Sequence, residues 1–554
     1  MRKQFILIQF VFLSLVALAQ GSIDDYNRAF SYPDRVKDKV FYSNVLPHWI
    51  NPTEFWYIQY TPTGKIYTLI DAKSKTRKLL FDHMSLNEKL NEMSKQNGTV
   101  DQLSLNGLRV SATKDTLRFT SNGFRWKFIQ SSNKLTNEGK INERKEGYWG
   151  TVDTERKGEP VVSPDKKWSA LVRDHNLFVK NQATGEEKAL STDGTFADYY
   201  SAYPFWSPDS KKIIVSRIHH APVRTLTLIE SSPTDQLQPK LQTRDYVKPG
   251  DTLPMRTPVI FDIIKNEQKV LSTTLLPNQM DLKGYEWSDD SKTVIFEYNE
   301  RGHKVYRVLE ASVETGFVRP LIEETSNTFV NYSRYYRQLL PKTNEIIWMS
   351  ERDNWNHLYL YDRISGKVKN QITKGAWYVR EVIQVDEKKR EIIFSANGMA
   401  TNEDPYLIRY YRIGFDGKGL TCLTPEEGMH QAWFSDDKKY FVDVYSLVNK
   451  APVAVLRNAA NGKVILPLEK ADISELLKTG WIAPEPFCAK GRDGKTDIWG
   501  IIIRPTNFDP NKKYPVLEYI YAGPGSQYTP KSFFSNNRYL NPIAELGFIV
   551  IQLD

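Results

Sequence analysis

Trp206-Ser207-Pro208-Asp209, continued by Ser210-Lys211-Lys212 and the apolar run IIVSRI (213–218), is the stretch on which the fold turns. An aromatic residue closes one strand, a Ser-Pro-Asp turn reverses the chain, and a β-branched run carries it back. The same arrangement recurs at Val162-Ser163-Pro164-Asp165, Trp287-Ser288-Asp289-Asp290 and Phe434-Ser435-Asp436-Asp437. Each is followed by lysine and a strand: KKWSALVRD, SKTVIFEYN and KKYFVDVYS. The spacing is about 44 residues or roughly a multiple of 45 to 50, the period of four-stranded propeller blades. Hairpins with a glycine or polar turn fill the intervals: TPTGKIYTLIDAKSKTRKLL (61–80), HNLFVKNQATGEEKAL (175–190) and HLYLYDRISGKVKNQIT (357–373).

Working outward, the strand pattern runs from about Pro33 to Trp481 without a long amphipathic helix, and residues 82–97 read as one short inserted helix. The expected fold is mainly β. About 450 residues at this period give an eight-bladed propeller, with seven blades as the alternative. Beyond it the pattern changes. Residues 497–527 read DIWGIIIRPTNFDPNKKYPVLEYIYAGPGSQ: a strand over 499–505, a turn at Asn507-Phe508-Asp509-Pro510, and a strand over 515–521 ending in Gly523-Pro524-Gly525. A loop, a short helix and the apolar strand GFIVIQLD (547–554) follow. That is the opening of a layered α/β domain, which buries its sheet under helices on both faces.

The composition bounds the function. Of 554 residues 40% are hydrophobic and 12% aromatic, enough for a large core and more than one domain. The net charge of +9 is spread through mixed runs such as TERKGE and DEKKRE, the pattern of a solvated surface rather than a nucleic-acid footprint. No CxxC, HExxH or other metal spacing occurs, and no cofactor is expected. Two cysteines, Cys422 and Cys488, are too few for a disulfide scaffold, although an exported protein could pair them. Residues 1–19 read as a secretory signal: Arg2 and Lys3, an apolar run over 5–18, and Ala17-Leu18-Ala19 for cleavage. The run is short for a membrane span, and no lipid-accepting cysteine follows it. The expected mature protein starts near Gln20 and is exported, periplasmic or secreted, without a membrane anchor.

KKYPVLEYIYAGPGSQ with FIVIQLD, and SERDNWNHLY at residues 350–359, resemble the dipeptidyl peptidase IV-like branch of the prolyl oligopeptidase family of serine peptidases. The resemblance implies a propeller over 20–482 and the start of an α/β-hydrolase domain over 483–554. It implies that Tyr521 contributes to an oxyanion hole. A phenol at a strand end beside a Gly-Pro-Gly loop can reach a developing oxyanion; an aromatic residue packing a corner is the other reading. No G-x-S-x-G occurs, and Ser526 reads as a loop hydroxyl. The family's Ser, Asp and His lie downstream of the point where these residues stop, so the expectation is a truncated and inactive chain. The family holds the substrate's free amine with a Glu-Glu pair; here Ala197-Asp198 stands in that place, leaving one carboxylate on a shorter side chain. Asp198 is therefore either an amine anchor or a polar turn residue. Arg156, in TERKGEP, is the counterpart considered for the family's carbonyl-binding arginine, and otherwise a solvated charge. His219, His220 and His303 read as structural or surface residues. The implied partners are peptide substrates and a second copy of the full-length chain. A non-catalytic propeller used for binding is the alternative function.

Overall fold

The computed structural model describes residues 21–95, 97–141, 156, 158–521 and 527–554. The signal stretch, the Gly-Pro-Gly loop and Ser526 lie outside the described residues.

The turn that organises the sequence has one geometry throughout. Ser163, Ser207, Ser288 and Ser435 each donate a side-chain hydrogen bond to the aspartate two residues on, at 2.7, 2.6, 2.7 and 2.9 Å. Each hydroxyl also accepts the amide of the residue five on, at 3.0, 2.9, 3.0 and 3.2 Å, which starts the returning strand. The residue at the tightest point (Lys166, Ser210, Ser291 or Lys438) has a positive φ of 55–63°. The aspartates lock this corner by accepting the amide of the following lysine. A fifth turn of the kind, at Ser111, carries Thr113 where the others carry Asp, and the Thr116 amide still bonds the Ser111 hydroxyl at 3.0 Å.

Among the described residues eight antiparallel sheets follow one another along the chain, spanning 48–79, 106–140, 161–189, 198–270, 279–325, 337–371, 378–422 and 429–470. All but the fourth have four strands in sequential order. The fourth has a split first strand, and a hairpin (Thr225–Glu230 with Lys240–Asp245) is inserted before its next strand. This insertion explains the doubled interval between the Ser207 and Ser288 turns. The hairpin is largely exposed, including Ile229, Leu237 and Leu241.

Packing separates the chain into two compact units, made by the described parts of Met1–Glu143, Trp355–His357 and Ile372–Asp554, and of Arg144–Asn354 and Leu358–Gln371. In the first, the second sheet shares a core with the first through Phe119, Trp126, Trp56 and Leu69. The first sheet packs on the eighth through Phe55, Tyr57, Val442 and Leu456, and the eighth on the seventh through Phe441, Tyr410 and Ile393. In the other unit the third sheet meets the fourth, the fourth the fifth, and the fifth the sixth. There the repeat also makes polar links: the Trp206 indole donates to the Val161 carbonyl and the Asp165 amide to the Ser210 hydroxyl, and the next pair of sheets repeats both bonds with Trp287 and Ser291. Each fully buried Phe, Val or Ile at these seams contributes about 1.5–3 kcal/mol.

The expected inserted helix forms over His83–Ser94, capped by Asp82, with Leu86 and Leu90 in the core of the first two sheets. A second helix, Ile23–Val36, has no counterpart in the sequence reading, which starts the ordered array at Pro33, inside it. Ser22 and Asp25 form a capping box at its start. Its buried face, Tyr32 and Val36, meets Leu476 and Trp481. Arg28 pairs with Glu545 at 3.0 Å, tying this helix to the C-terminal sheet.

That last sheet has the order Glu485–Lys490, Asp497–Ile503, Ile549–Leu553, Val516–Glu518. The two final members run parallel, joined through helix Leu540–Glu545, so the expected α/β crossover is present. The strand over 485–490 is absent from the sequence reading. Ile501, Ile503 and Val550 pack beneath Leu540 and Ala544 and against Val448 of the eighth sheet. Cys422 and Cys488 are both free thiols, so the disulfide considered for them does not form. No helix among the described residues is long and apolar enough to cross a membrane.

Candidate functional site

The segment that carries Asp198 is fixed by its neighbours before any side chain is considered. Gly194 lies against the turn of the third sheet, where a Cβ would stand 2.1 Å from the His175 carbonyl oxygen. Only glycine permits that approach. Gly158 is placed likewise, a Cβ there meeting the Ala202 carbonyl at 2.9 Å, and this sets the chain just after Arg156 against the same segment. The Asp198 amide bonds the Thr195 hydroxyl at 3.1 Å, and the His220 amide bonds the Ala197 carbonyl at 2.7 Å.

Strand Asp198–Tyr200 pairs with Lys212–His219 in a register that sets Asp198 opposite His219. His219 Nδ1 lies 3.0 Å from Asp198 Oδ1. Among the described residues Asp198 Oδ2 takes no hydrogen bond, and the side chain is 37% exposed. Arg156 arrives from the chain before the third sheet. Its guanidinium donates to the Phe196 carbonyl at 3.2 Å and lies 3.8 Å from the Tyr199 ring centroid and 4.5 Å from that of Phe196. Arg156 thus rests on the residues flanking Ala197-Asp198, and the two residues singled out separately by sequence share one segment. The solvated-charge reading of Arg156 is replaced by a stacked guanidinium. His220 and His175 meet the Phe196 ring edge-on, at 5.3 and 6.3 Å. Below, buried Tyr200 donates to Asp193 at 2.9 Å, and Asp193 pairs with Arg217 at 3.0 Å. Burial, then the Asp193 acceptor, pushes the Tyr200 phenol well above its ordinary range.

Tyr521 belongs to the other unit, where it follows strand Val516–Glu518. It is 67% exposed, unlike a side chain that fills a corner. Its ring stacks on Tyr528 at 4.7 Å, and the Tyr528 hydroxyl lies 3.3 Å from that of Tyr519. The amides of Tyr528 and Thr529 both donate to Asp554, at 2.9 and 2.6 Å, so Tyr528 offers Tyr521 a fixed face.

The remaining motif residues are structural. His303 bonds Asn299 at 3.1 Å and stacks on Tyr332. In the 350–359 segment Arg352 pairs with the buried Glu324 and lies over Tyr359 at 4.6 Å, while Trp348 donates to Glu324 at 2.8 Å. Sequence reasoning did not find the His219–Asp198 contact or Glu324. The one signal for the latter was an acidic residue at the inward position that follows Leu321 and Ile322 in VRPLIEET. No group of three or more His, Cys, Asp or Glu able to hold a metal occurs among the described residues.

The family described as the dipeptidyl peptidase IV (DPP IV) N-terminal region matches residues 134–452, more than half of the chain. Dipeptidyl peptidase 4 of Trichophyton rubrum is 24% identical over 440 residues, covering 71% of this chain and 53% of that protein. Dipeptidyl aminopeptidase A of Saccharomyces cerevisiae is 23% identical over 444 residues, covering 71% and 46%. The chain spans about half the length of the curated relatives it matches. The crystal structure of Porphyromonas gingivalis dipeptidyl peptidase 4 superimposes with a TM-score of 0.57 at 18% identity, covering 92% of this chain and 71% of that one. That likeness places the mainly β fold among those of propeller-bearing peptidases.

Proposed function

Because the chain belongs to the dipeptidyl peptidase IV family, we propose that it is the propeller and the opening of the catalytic domain of an exported serine-type exopeptidase that acts on oligopeptides with a free N-terminus. The observation that carries this reading is the convergence of Arg156 and Asp198 on one segment. An arginine and a carboxylate held on one segment are suited to a peptide's first carbonyl and its α-ammonium group. In this reading the eight sheets are eight blades of one propeller over 20–482, and the sheet over 485–553 opens an α/β-hydrolase domain. Tyr521, with an exposed phenol on a stacked support, donates to the oxyanion. Export rests on the signal pattern of residues 1–19, and the full-length enzyme forms a homodimer.

The test is made on the protein isolated from its native source. Its intact mass is compared with the 64.1 kDa of this sequence, and its labelling by a fluorophosphonate is read alongside. A species tens of kilodaltons heavier that labels, and that cleaves a free-amine dipeptide anilide but not its N-acetyl form, is expected. A species near or below 64.1 kDa that does not label refutes the peptidase reading and leaves a propeller that binds without catalysis.

A further inference from the structure

Asp198 does not stand alone as a carboxylate would beside a second glutamate. The strand register delivers an imidazole to it, with His219 Nδ1 3.0 Å from Oδ1, while Oδ2 faces outward without a partner among the described residues. His219 is itself 66% exposed. A neutral imidazole donating from Nδ1 leaves Asp198 its full negative charge and turns Oδ2 outward. A protonated imidazole at the same distance cancels that charge. Imidazole is the side chain that changes charge between about pH 5 and 8.

We propose that His219 is a specificity-determining residue that gates Asp198, so that the site takes a peptide α-ammonium group when His219 is neutral and releases it when His219 is protonated. This rests on the reading of Asp198 as the amine anchor. A site with two carboxylates keeps one negative charge after losing the other, whereas among the described residues Asp198 is the one carboxylate on this segment.

The groups around His219 sharpen the expectation. On its own strand Arg217 is engaged by Asp193, and on the neighbouring strand Met255 is its partner, with Arg256 next to it. Across the segment Arg156 lies over Phe196 and Tyr199, and His175 and His220 touch Phe196. Among the charged groups named, Arg217, Arg256 and Arg156 are cations, and Asp193 is engaged by Arg217. Among these described groups none restores the attraction once His219 is charged. His175 and His220 meet Phe196 rather than Asp198, so substitution of His219 alone separates its effect from theirs.

The probe is alanyl-alaninamide, with its N-acetyl form as control, titrated into the 554-residue protein from pH 5.0 to 7.5 and read by ligand-observed NMR. The amide should bind roughly tenfold tighter at pH 7.5 than at pH 5.0, as expected for loss of one charge-assisted contact. In His219→Asn, which can still donate to Asp198 but does not titrate, the two affinities should agree within about twofold. Asp198→Asn should bind free and acetylated forms alike at every pH. Affinity independent of pH in the unmodified protein overturns the gate. So does a pH dependence that persists in His219→Asn, which would assign it to His175 or His220. Equal binding of the free and acetylated forms by the unmodified protein overturns the amine-anchor reading as well. A free-amine preference that is lost in Asp198→Asn but shows no pH dependence leaves the anchor standing and removes only the gate.

Discussion

Replacing Arg457 by Met tests how the eighth sheet, which packs on the first and carries the contact to the C-terminal sheet, is held together. The Arg457 side chain is 2% exposed and that of Asp443 is 0%. Arg457 Nε meets Asp443 Oδ2 at 2.8 Å, its Nη1 donates to the Gly462 carbonyl at 2.9 Å, and its remaining nitrogen pairs with Glu426. His430 Nδ1 holds the other Asp443 oxygen at 2.8 Å. The substitution leaves a fully buried carboxylate with half of its partners. Breaking a buried pair from one side destabilises by about 3–5 kcal/mol. At roughly 2 °C per kcal/mol for a unit of a few hundred residues, the melting midpoint should fall by about 6–10 °C. The assay is a calorimetric melt of the wild type, of Arg457→Met, and of Arg457→Met combined with Asp443→Leu. The double variant should recover more than half of the loss, because it no longer strands a charge. If Arg457→Met melts within about 2 °C of the wild type, or if the double variant is worse than the single, the network is not held by mutual compensation and the reasoning fails.

The repeated turn makes a pH prediction. The Ser163 hydroxyl, then the Lys167 amide, holds the Asp165 carboxyl below the usual carboxylate range, and Ser288 does the same for Asp290. Groups depressed on folding stabilise at pH values above the unfolded range, near pH 4, and lose that contribution as pH falls through the lower folded value. Ser163→Ala should cost about 1 kcal/mol at pH 7, and the gap to wild type in melts taken from pH 7 down to pH 2.5 should narrow below about pH 4. A gap that stays constant would mean the hydroxyl acts only on the Trp168 amide. For the candidate site, Arg156→Ala removes two ring contacts and one hydrogen bond from the 196–199 segment, together about 1–2 kcal/mol. Hydrogen exchange at the His220 amide, bonded to the Ala197 carbonyl, should therefore be roughly 5–30-fold faster. An unchanged rate would mean that Arg156 does not hold the segment.

What was legible in the sequence was what is settled within a few residues. Ser207, Asp209 and Lys212 bond one another across a single corner, so their spacing announces the turn. The Ser111 turn escaped notice because Thr113 replaces the aspartate, although the geometry survives. Helix Ile23–Val36 was missed despite the Ser22-x-x-Asp25 capping signal, because its buried partners Leu476 and Trp481 lie far along the chain. The strands and short helix after residue 497 were read in their order along the chain, but strand Glu485–Lys490 was not, since EPFCAK has neither alternation nor an apolar run. Asp198 and Arg156 were found through the resemblance, whereas the pairing of Asp198 with His219 is a consequence of register and has no local signature.

The same chemistry therefore appears in this chain in two roles, and hydrogen-bond accounting tells them apart. Asp165, Asp209, Asp290 and Asp437 sit in turns whose serine hydroxyl and lysine amide both converge on one carboxylate oxygen, a local bond set that fixes the corner. Their sequence context repeats because the turn needs it. Asp198 breaks that pattern. It lies in a strand beside a glycine-limited loop, bonds a side chain on the next strand, and keeps one oxygen without a hydrogen bond among the described residues. A carboxylate bonded by the hydroxyl and amide of its own turn needs no ligand to explain it. In the proposed reading Asp198 is the carboxylate left open to a substrate amine. Its function should accordingly be sought in what the open oxygen binds, and under which charge state of His219 it does so.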